Sequence, residues 1–169
     1  MKYKKPTKEY VDTLFDSAES YFATFPGCYI PDRLKDYEGK KTYLWDSKVL
    51  SNTVEQGDIF EFGVFKGATI TWFAKYFNDC KIYGFDSFHG NPEDRDIGFQ
   101  VLPKGDFDTK GKVPNIKGVE FIKGLYSETV KEWFSSYNGV IKVVHMDCNL
   151  YSSAATVLDN IKPFLRAGS

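Results

Sequence analysis

The chain has 169 residues, 42% apolar and 17% aromatic, including 15 Phe and 11 Tyr. That supply of core-forming side chains fits one globular domain and excludes a disordered or fibrous chain. The 22 Lys plus Arg against 23 Asp plus Glu leave a formal net charge of −1, without the basic excess of a nucleic-acid binder.

The first helix is expected over 7–25, where Val11, Leu14, Phe15, Ala18 and Phe22 fall at helical spacing and Pro26-Gly27 ends the run. A second, less amphipathic helix is expected over 43–54. From Asp58 the pattern changes to short apolar strands at 59–62, 82–85, 119–122 and 140–146. Near-continuous apolar strands suit a parallel sheet covered on both faces. Between them, Ile70, Phe73, Ala74 and Phe77 repeat at i, i+3, i+4, i+7. So do Val130, Trp133, Phe134 and Tyr137, and again Ala154, Val157, Leu158 and Ile161. Four βα units in succession predict an α/β, doubly wound parallel sheet. Residues 1–56 form an N-terminal helical cap segment and 57–169 the core. One connection, from Phe85 to Val119, is more than thirty residues long. Loops beyond about 12–15 residues are usually functional or disordered, so a substrate-facing lid and a mobile insertion are both open.

Ligands of open α/β sheets bind beyond the carboxyl ends of the strands, and the polar groups there form a small set. Glu61-Phe62-Gly63-Val64-Phe65-Lys66-Gly67 follows the first strand. Gly63 allows a tight turn and Gly67 a helix start close to a ligand, while the opening helix amides suit a carboxylate. This is neither GxGxxG nor GxxxxGK[ST], so a phosphate-centred cofactor is disfavoured. Asp86 after the second strand can accept from both hydroxyls of a ribose or can cap an Asp-Ser turn. Glu61 can meet a ligand amine or pair with a lysine. Two acids, a glycine turn and no phosphate motif describe a ribose-bearing, cationic, amino-acid-like ligand such as S-adenosylmethionine.

Cys28, Cys80 and Cys148 have no CxxC spacing and read as reduced thiols. Two histidines, His89 and His145, lie far apart, against a His/Cys metal cluster. His89, in the loop, is open to a general-base role; His145, inside a strand, reads as a core residue. Trp45, Trp72 and Trp133 read as core or interface anchors. Tyr151 either reaches the site or packs at a helix start. The opening Met-Lys-Tyr-Lys-Lys-Pro lacks a signal-peptide stretch and no run approaches the ~18 apolar residues of a membrane span. The chain therefore reads as soluble and cytoplasmic, without a membrane or nucleic-acid partner.

The motif from Glu61 to Gly67 resembles the first motif of class I S-adenosylmethionine-dependent methyltransferases. Gly84-Phe-Asp-Ser-Phe-His-Gly-Asn-Pro-Glu93, Phe121-Ile-Lys-Gly-Leu-Tyr-Ser-Glu-Thr129 and Asp147-Cys-Asn-Leu-Tyr-Ser-Ser153 are similar to segments of the macrocin O-methyltransferase (TylF-like) family. The resemblance implies a Rossmann-like core with N-terminal helices, and methylation of a sugar-like or small-molecule hydroxyl. It implies a cofactor held by Glu61, Gly63, Phe65, Lys66, Gly67 and Asp86, with Ser87, Phe88 and Gly124 around the adenosine. It also implies Asp147 as base or metal-linked acid, with Mg²⁺ held by Asp147 and its neighbour at 149.

Two departures bear on this. Asn149 stands where the family has its second acid, removing a charge from a Mg²⁺ site. The chain also stops at about the point where the family's next strand begins, so the last strands and a further acidic pair are expected to be missing. A strand at 140–146 with an open edge would then pair with another chain or copy, as in a homo-oligomer, or mark a fragment. A non-catalytic module that binds the cofactor without the metal half is the alternative function. An NAD-linked protein is a third, disfavoured by the missing GxGxxG.

Overall fold

The computed structural model describes residues 56–77, 79–96, 98 and 101–169. The helices expected at 7–25 and 43–54, most of the cap segment, Cys28 and Trp45 lie outside the described residues.

The core runs β1 (Asp58–Phe62), α1 (Ala68–Tyr76), β2 (Ile82–Asp86), β3 (Arg95–Asp96), β4 (Val101–Leu102), β5 (Val119–Lys123), α2 (Tyr126–Ser135), β6 (Ile141–Met146) and α3 (Tyr151–Ile161), then a 3₁₀ turn at Lys162–Phe164. β1, β2, β5 and β6 form one parallel sheet in the order β5-β2-β1-β6. Among the described residues the strands and helices expected from Asp58 onward are present, but the four successive βα units are three. Among the described residues, the path from β2 to β5 carries no helix. It carries the two-residue antiparallel pair β3–β4 instead, because its Gly, Pro and Asp turns leave no apolar stripe for a helix to bury.

Alternation along the strands separates two faces. Phe60 and Phe62 of β1, Tyr83 and Phe85 of β2 and Ile141 of β6 meet Val130 and Phe134 of α2 and Val157 and Ile161 of α3 in one core. Phe60 stacks on Tyr83 at 5.1 Å between ring centroids and lies 5.2 Å from Phe134. Trp133 packs on Tyr83 and Phe85, as expected of a core anchor. Ile59, Glu61, Ile82, Gly84, Val143 and His145 turn to the opposite face, where Ile70 and Phe73 of α1 are fully buried. Gly84 is needed there, since an added Cβ would meet Ile70, Val64 and Phe121 within 3 Å. Each fully buried Phe or Ile contributes about 1.5–3 kcal/mol.

The chain leaves β1 for β2 and β5 on one side and returns as β6 on the other. The strand order therefore reverses between β1 and β6, and a crevice opens beyond their carboxyl ends.

Candidate functional site

The turn after β1 is tied to both neighbouring strands. Gly63 N donates to Phe85 O of β2 at 3.0 Å, and Asp147 N donates to Phe62 O at 2.8 Å. Gly63 has φ +99°, and a Cβ there would collide with the carbonyl of Asp147. The glycine lets the β1 and β6 loops touch through their backbones. Gly67, φ +83°, starts α1 in the left-handed conformation. No side chain caps that helix and no acid lies in its first turn, so its leading amides are available to an anion.

Asp86 organises the loops on either side of it. Its Oδ2 accepts from Val64 N and Phe65 N, each at 2.8 Å, and its Oδ1 from Phe88 N, also at 2.8 Å. An ionised carboxylate offers about four acceptor sites, so room for one further bond remains beside this clasp. The capping function is thus realised, and a ribose would share the carboxylate with three amides. Ser87 Oγ donates to Gly90 O at 3.2 Å and accepts from His89 N at 3.1 Å. Gly124 N donates to Asp86 O at 3.0 Å, which brings the loop after β5 to the same place. Phe88 is fully buried and faces the Phe121 ring.

Phe65 and Phe88 have φ of +53° and +59°, and Phe107 and Lys110 in the long connection have +67° and +56°. Such backbone costs about 1–3 kcal/mol at a bulky residue and persists where surrounding contacts over-determine it. All four positions lie in the loops that leave β1 and β2. Phe65 meets Phe107 edge-on at 5.6 Å, so the long connection folds back onto the first turn.

Glu61 is almost wholly buried, with Oε1 2.9 Å from His145 Nδ1 on the adjacent strand. The pair is fixed by the parallel register, which sets Glu61 beside His145. His145 is thus a partnered residue of the α1 side. His89 is largely exposed, 3.9 Å from Asp108.

Asp147 is exposed. Asn149 Nδ2 donates to Asn91 Oδ1 at 3.1 Å, and Ser152 Oγ donates to Glu93 Oε1 at 2.9 Å, fastening the segment after β2 to the start of α3. Among the described residues, no group of three or more His, Cys, Asp or Glu could hold a metal ion. One exposed carboxylate and one neutral amide do not suit a resident Mg²⁺, which needs near-octahedral oxygen ligation. Tyr151 does not pack at its helix start, being 89% exposed. Cys80 and Cys148 are free thiols, and burial pushes both up from the ordinary thiol value.

Of the residues singled out from sequence, Gly63, Phe65, Asp86, Phe88, Gly124 and Asp147 are joined by the hydrogen bonds and close backbone approaches above, and Ser87 lies between Asp86 and Phe88 with its hydroxyl bonded to Gly90 O and His89 N. Lys66 and Gly67 complete the β1 turn, and Glu61 sits beneath it. Asn91 and Tyr126 were not singled out. Tyr126 OH reaches Phe85 O at 3.4 Å, and burial first, then the charge of Asp86, drives its phenol well above the ordinary value. Asn91 lies inside the quoted Gly84–Glu93 run, so its position was in view although its partner was not.

A family model described as a methyltransferase domain matches residues 60–169, and the chain belongs to that family. The parallel sheet with helices on both faces is the Rossmann-like α/β core of such a domain. S-adenosylmethionine is the usual cofactor of that family. No curated protein and no solved structure matches the chain. No helix among the described residues is long and apolar enough to cross a membrane.

Proposed function

We propose that this methyltransferase domain holds S-adenosylmethionine across the carboxyl ends of β2, β1 and β6 and methylates a hydroxyl of a small, sugar-like acceptor. The observation that carries the reading is the Asp86 clasp. One carboxylate draws the β1 turn, which borders the topological switch point between β1 and β6, to the β2 loop, and α/β folds bind ligands at such a point. The resemblance of the segments around Asp86, Gly124 and Asp147 to TylF-like O-methyltransferases supports the choice of a hydroxyl.

When bound, the cofactor supplies a methyl group activated by its sulfonium. The chain's part is to bind, orient and accept a proton. The α1 amides suit the cofactor carboxylate, and the free acceptor site on Asp86 suits one ribose hydroxyl. Asp147, which follows β6, would accept the proton of the acceptor hydroxyl as the methyl group leaves the cofactor sulfur for the hydroxyl oxygen. Holding the two reactants together supplies most of the acceleration.

A second reading has a specific observation behind it. Asn149 is bonded to Asn91 where the resembling family has an acid, which suits a module that binds the cofactor without transferring methyl groups. The outer edge of β6, unpaired among the described residues, suits pairing with a second copy or chain.

Calorimetric titration with S-adenosylmethionine tests the first step. Binding is expected. A folded chain that binds neither this cofactor nor S-adenosylhomocysteine would overturn the reading. Methyl transfer to a panel of sugars, followed by mass spectrometry, separates the two functions. The enzyme reading expects product, and expects Asp147→Ala to slow its formation by about 100-fold with the exposed site leaving stability unchanged.

A further inference from the structure

We propose that the acceptor carries an anionic group, a phosphate or a carboxylate, held between Lys66 and Lys112 in an open cleft beside the β1 turn. The inference deepens the acceptor reading above and rests on it for what the ligand is used for. The cleft has a volume of about 300 Å³ and is lined by Phe65, Lys66, Thr109, Lys112, Val113 and Pro114. That volume is at the small end of the ~300–1,000 Å³ of ligand sites. Its composition is also that of a ligand site, an apolar wall with a few polar groups.

Charge decides the kind of ligand. Both lysines are exposed, no carboxylate lines the cleft, and neither lysine belongs to an ion pair among the described residues. Lys66 Nζ sits 5.0 Å from the centre of the Phe65 ring, a contact that leaves its N–H donors for other groups. In a chain with one more acid than base, two unpaired ammonium groups facing one cleft favour an anion.

The walls are built rather than accidental. Phe65 is fixed by the hydrogen bond that its backbone N–H donates to Asp86 Oδ2. Thr109 Oγ1 lies 3.1 Å from Phe88 O and 2.9 Å from Lys112 O. Gly111 N donates to Phe88 O at 2.8 Å, and Lys123 Nζ donates to Gly111 O at 2.8 Å. The segment 109–114 is thus tied to the β2 and β5 loops that border the crevice. Pro114 and Ile116 lie against Gly67 at the start of α1. The cleft and the crevice share Phe65, so an anionic group in one places the rest of a small molecule beside the other.

The test uses the full chain with glucose 6-phosphate, glucuronate and glucose as probes, titrated by calorimetry with and without S-adenosylmethionine. The two anionic sugars are expected to bind and glucose is not, with the tighter anion identifying phosphate or carboxylate. Lys66→Met and Lys112→Met should each weaken the favoured anion about fivefold, and added salt should weaken it in the unaltered chain. Lys112→Met should leave the affinity for S-adenosylmethionine unchanged. Equal binding of glucose, no binding of either anion, or indifference to both lysine changes would overturn the proposal. Displacement of the anion by S-adenosylmethionine would also overturn it, because the cleft would then hold the cofactor's carboxylate. Anion binding that follows the lysines in a chain unable to bind the cofactor would defeat the methyltransfer reading and leave the anion site standing.

Discussion

Oδ2 of Asp86 lies 2.8 Å from the backbone nitrogen of Phe65, a residue 21 positions earlier in the chain. The same oxygen serves Val64 N, and the other serves Phe88 N. Asp86 is therefore structural before any ligand arrives. Asp86→Ala should lower stability by about 3 kcal/mol, because three amides lose a charged acceptor. Asp86→Asn should recover part of that loss, since one amide oxygen remains. Urea denaturation measures both, and an Asp86→Ala midpoint equal to the parent's would show that the clasp contributes no stability. Cofactor affinities of these variants are interpretable only alongside those midpoints.

The approach of Gly63 to the carbonyl of Asp147 makes a second prediction. A methyl group at position 63 meets that carbonyl and strains a φ of +99°. Gly63→Ala should cost about 3 kcal/mol, a fall of about 10 °C in Tm for a chain of this size. A smaller change at Gly98, where an added Cβ meets nothing within 4 Å, is the control for position. Equal losses at the two sites would refute the backbone contact as the cause.

Tyr137 OH donates to Asp58 Oδ2 at 2.9 Å, joining the end of α2 to the start of β1. Burial, then the hydrogen bond to Asp58 and its charge, raises the Tyr137 phenol above its ordinary value of 10.0. Burial raises Tyr126 and Tyr83 as well. A raised folded-state value means that stability is fully present below the unfolded value and is lost as pH climbs through the folded one. Urea midpoints should therefore hold steady up to about pH 9 and fall above about pH 10. Tyr137→Phe should lower stability by about 1.5 kcal/mol and make the alkaline decline shallower. A midpoint that rises above pH 10 would contradict the sign.

The Asn91–Asn149 bond predicts the response to metal. With the amide of Asn149 engaged at 3.1 Å and no three-residue metal group among the described residues, EDTA should leave Tm and cofactor affinity unchanged. Asn149→Asp places an acid against Asn91 Oδ1, which an amide flip of Asn91 relieves by presenting its Nδ2. That atom is buried and lacks a hydrogen-bond partner, so the variant should keep the parent's stability to within about 1 kcal/mol. Loss of cofactor binding on EDTA treatment of the unaltered chain would overturn the account.

The strands and helices were legible because their signals are local. Ile82 to Phe85 carries no charge on either face, Ile59 to Phe62 carries only Glu61, and the stripes through Phe73, Phe134 and Val157 have helical period. The segment between Asp86 and Val119 was legible only as an interruption. Its two short strands pair through backbone groups and leave little trace in side-chain pattern.

The residues at the strand ends were also readable, since the chain order of an α/β sheet tells which positions face the crevice. What those residues do there was not. Glu61 finds His145 from 84 positions away, Asn149 finds Asn91 from 58, and Asp86 finds Val64 from 22. Each pairing depends on strand order and register, which the sheet sets cooperatively and no local window of sequence contains. The cleft between Lys66 and Lys112 is of the same kind. Two lysines 46 positions apart by number are solvated charges along the chain, and they face one cleft because the long connection folds back onto the β1 turn. Local periodicity thus settles which segments are strands and helices, while the partners of the polar groups wait on contacts between distant segments, whose closure only the assembled sheet stabilises.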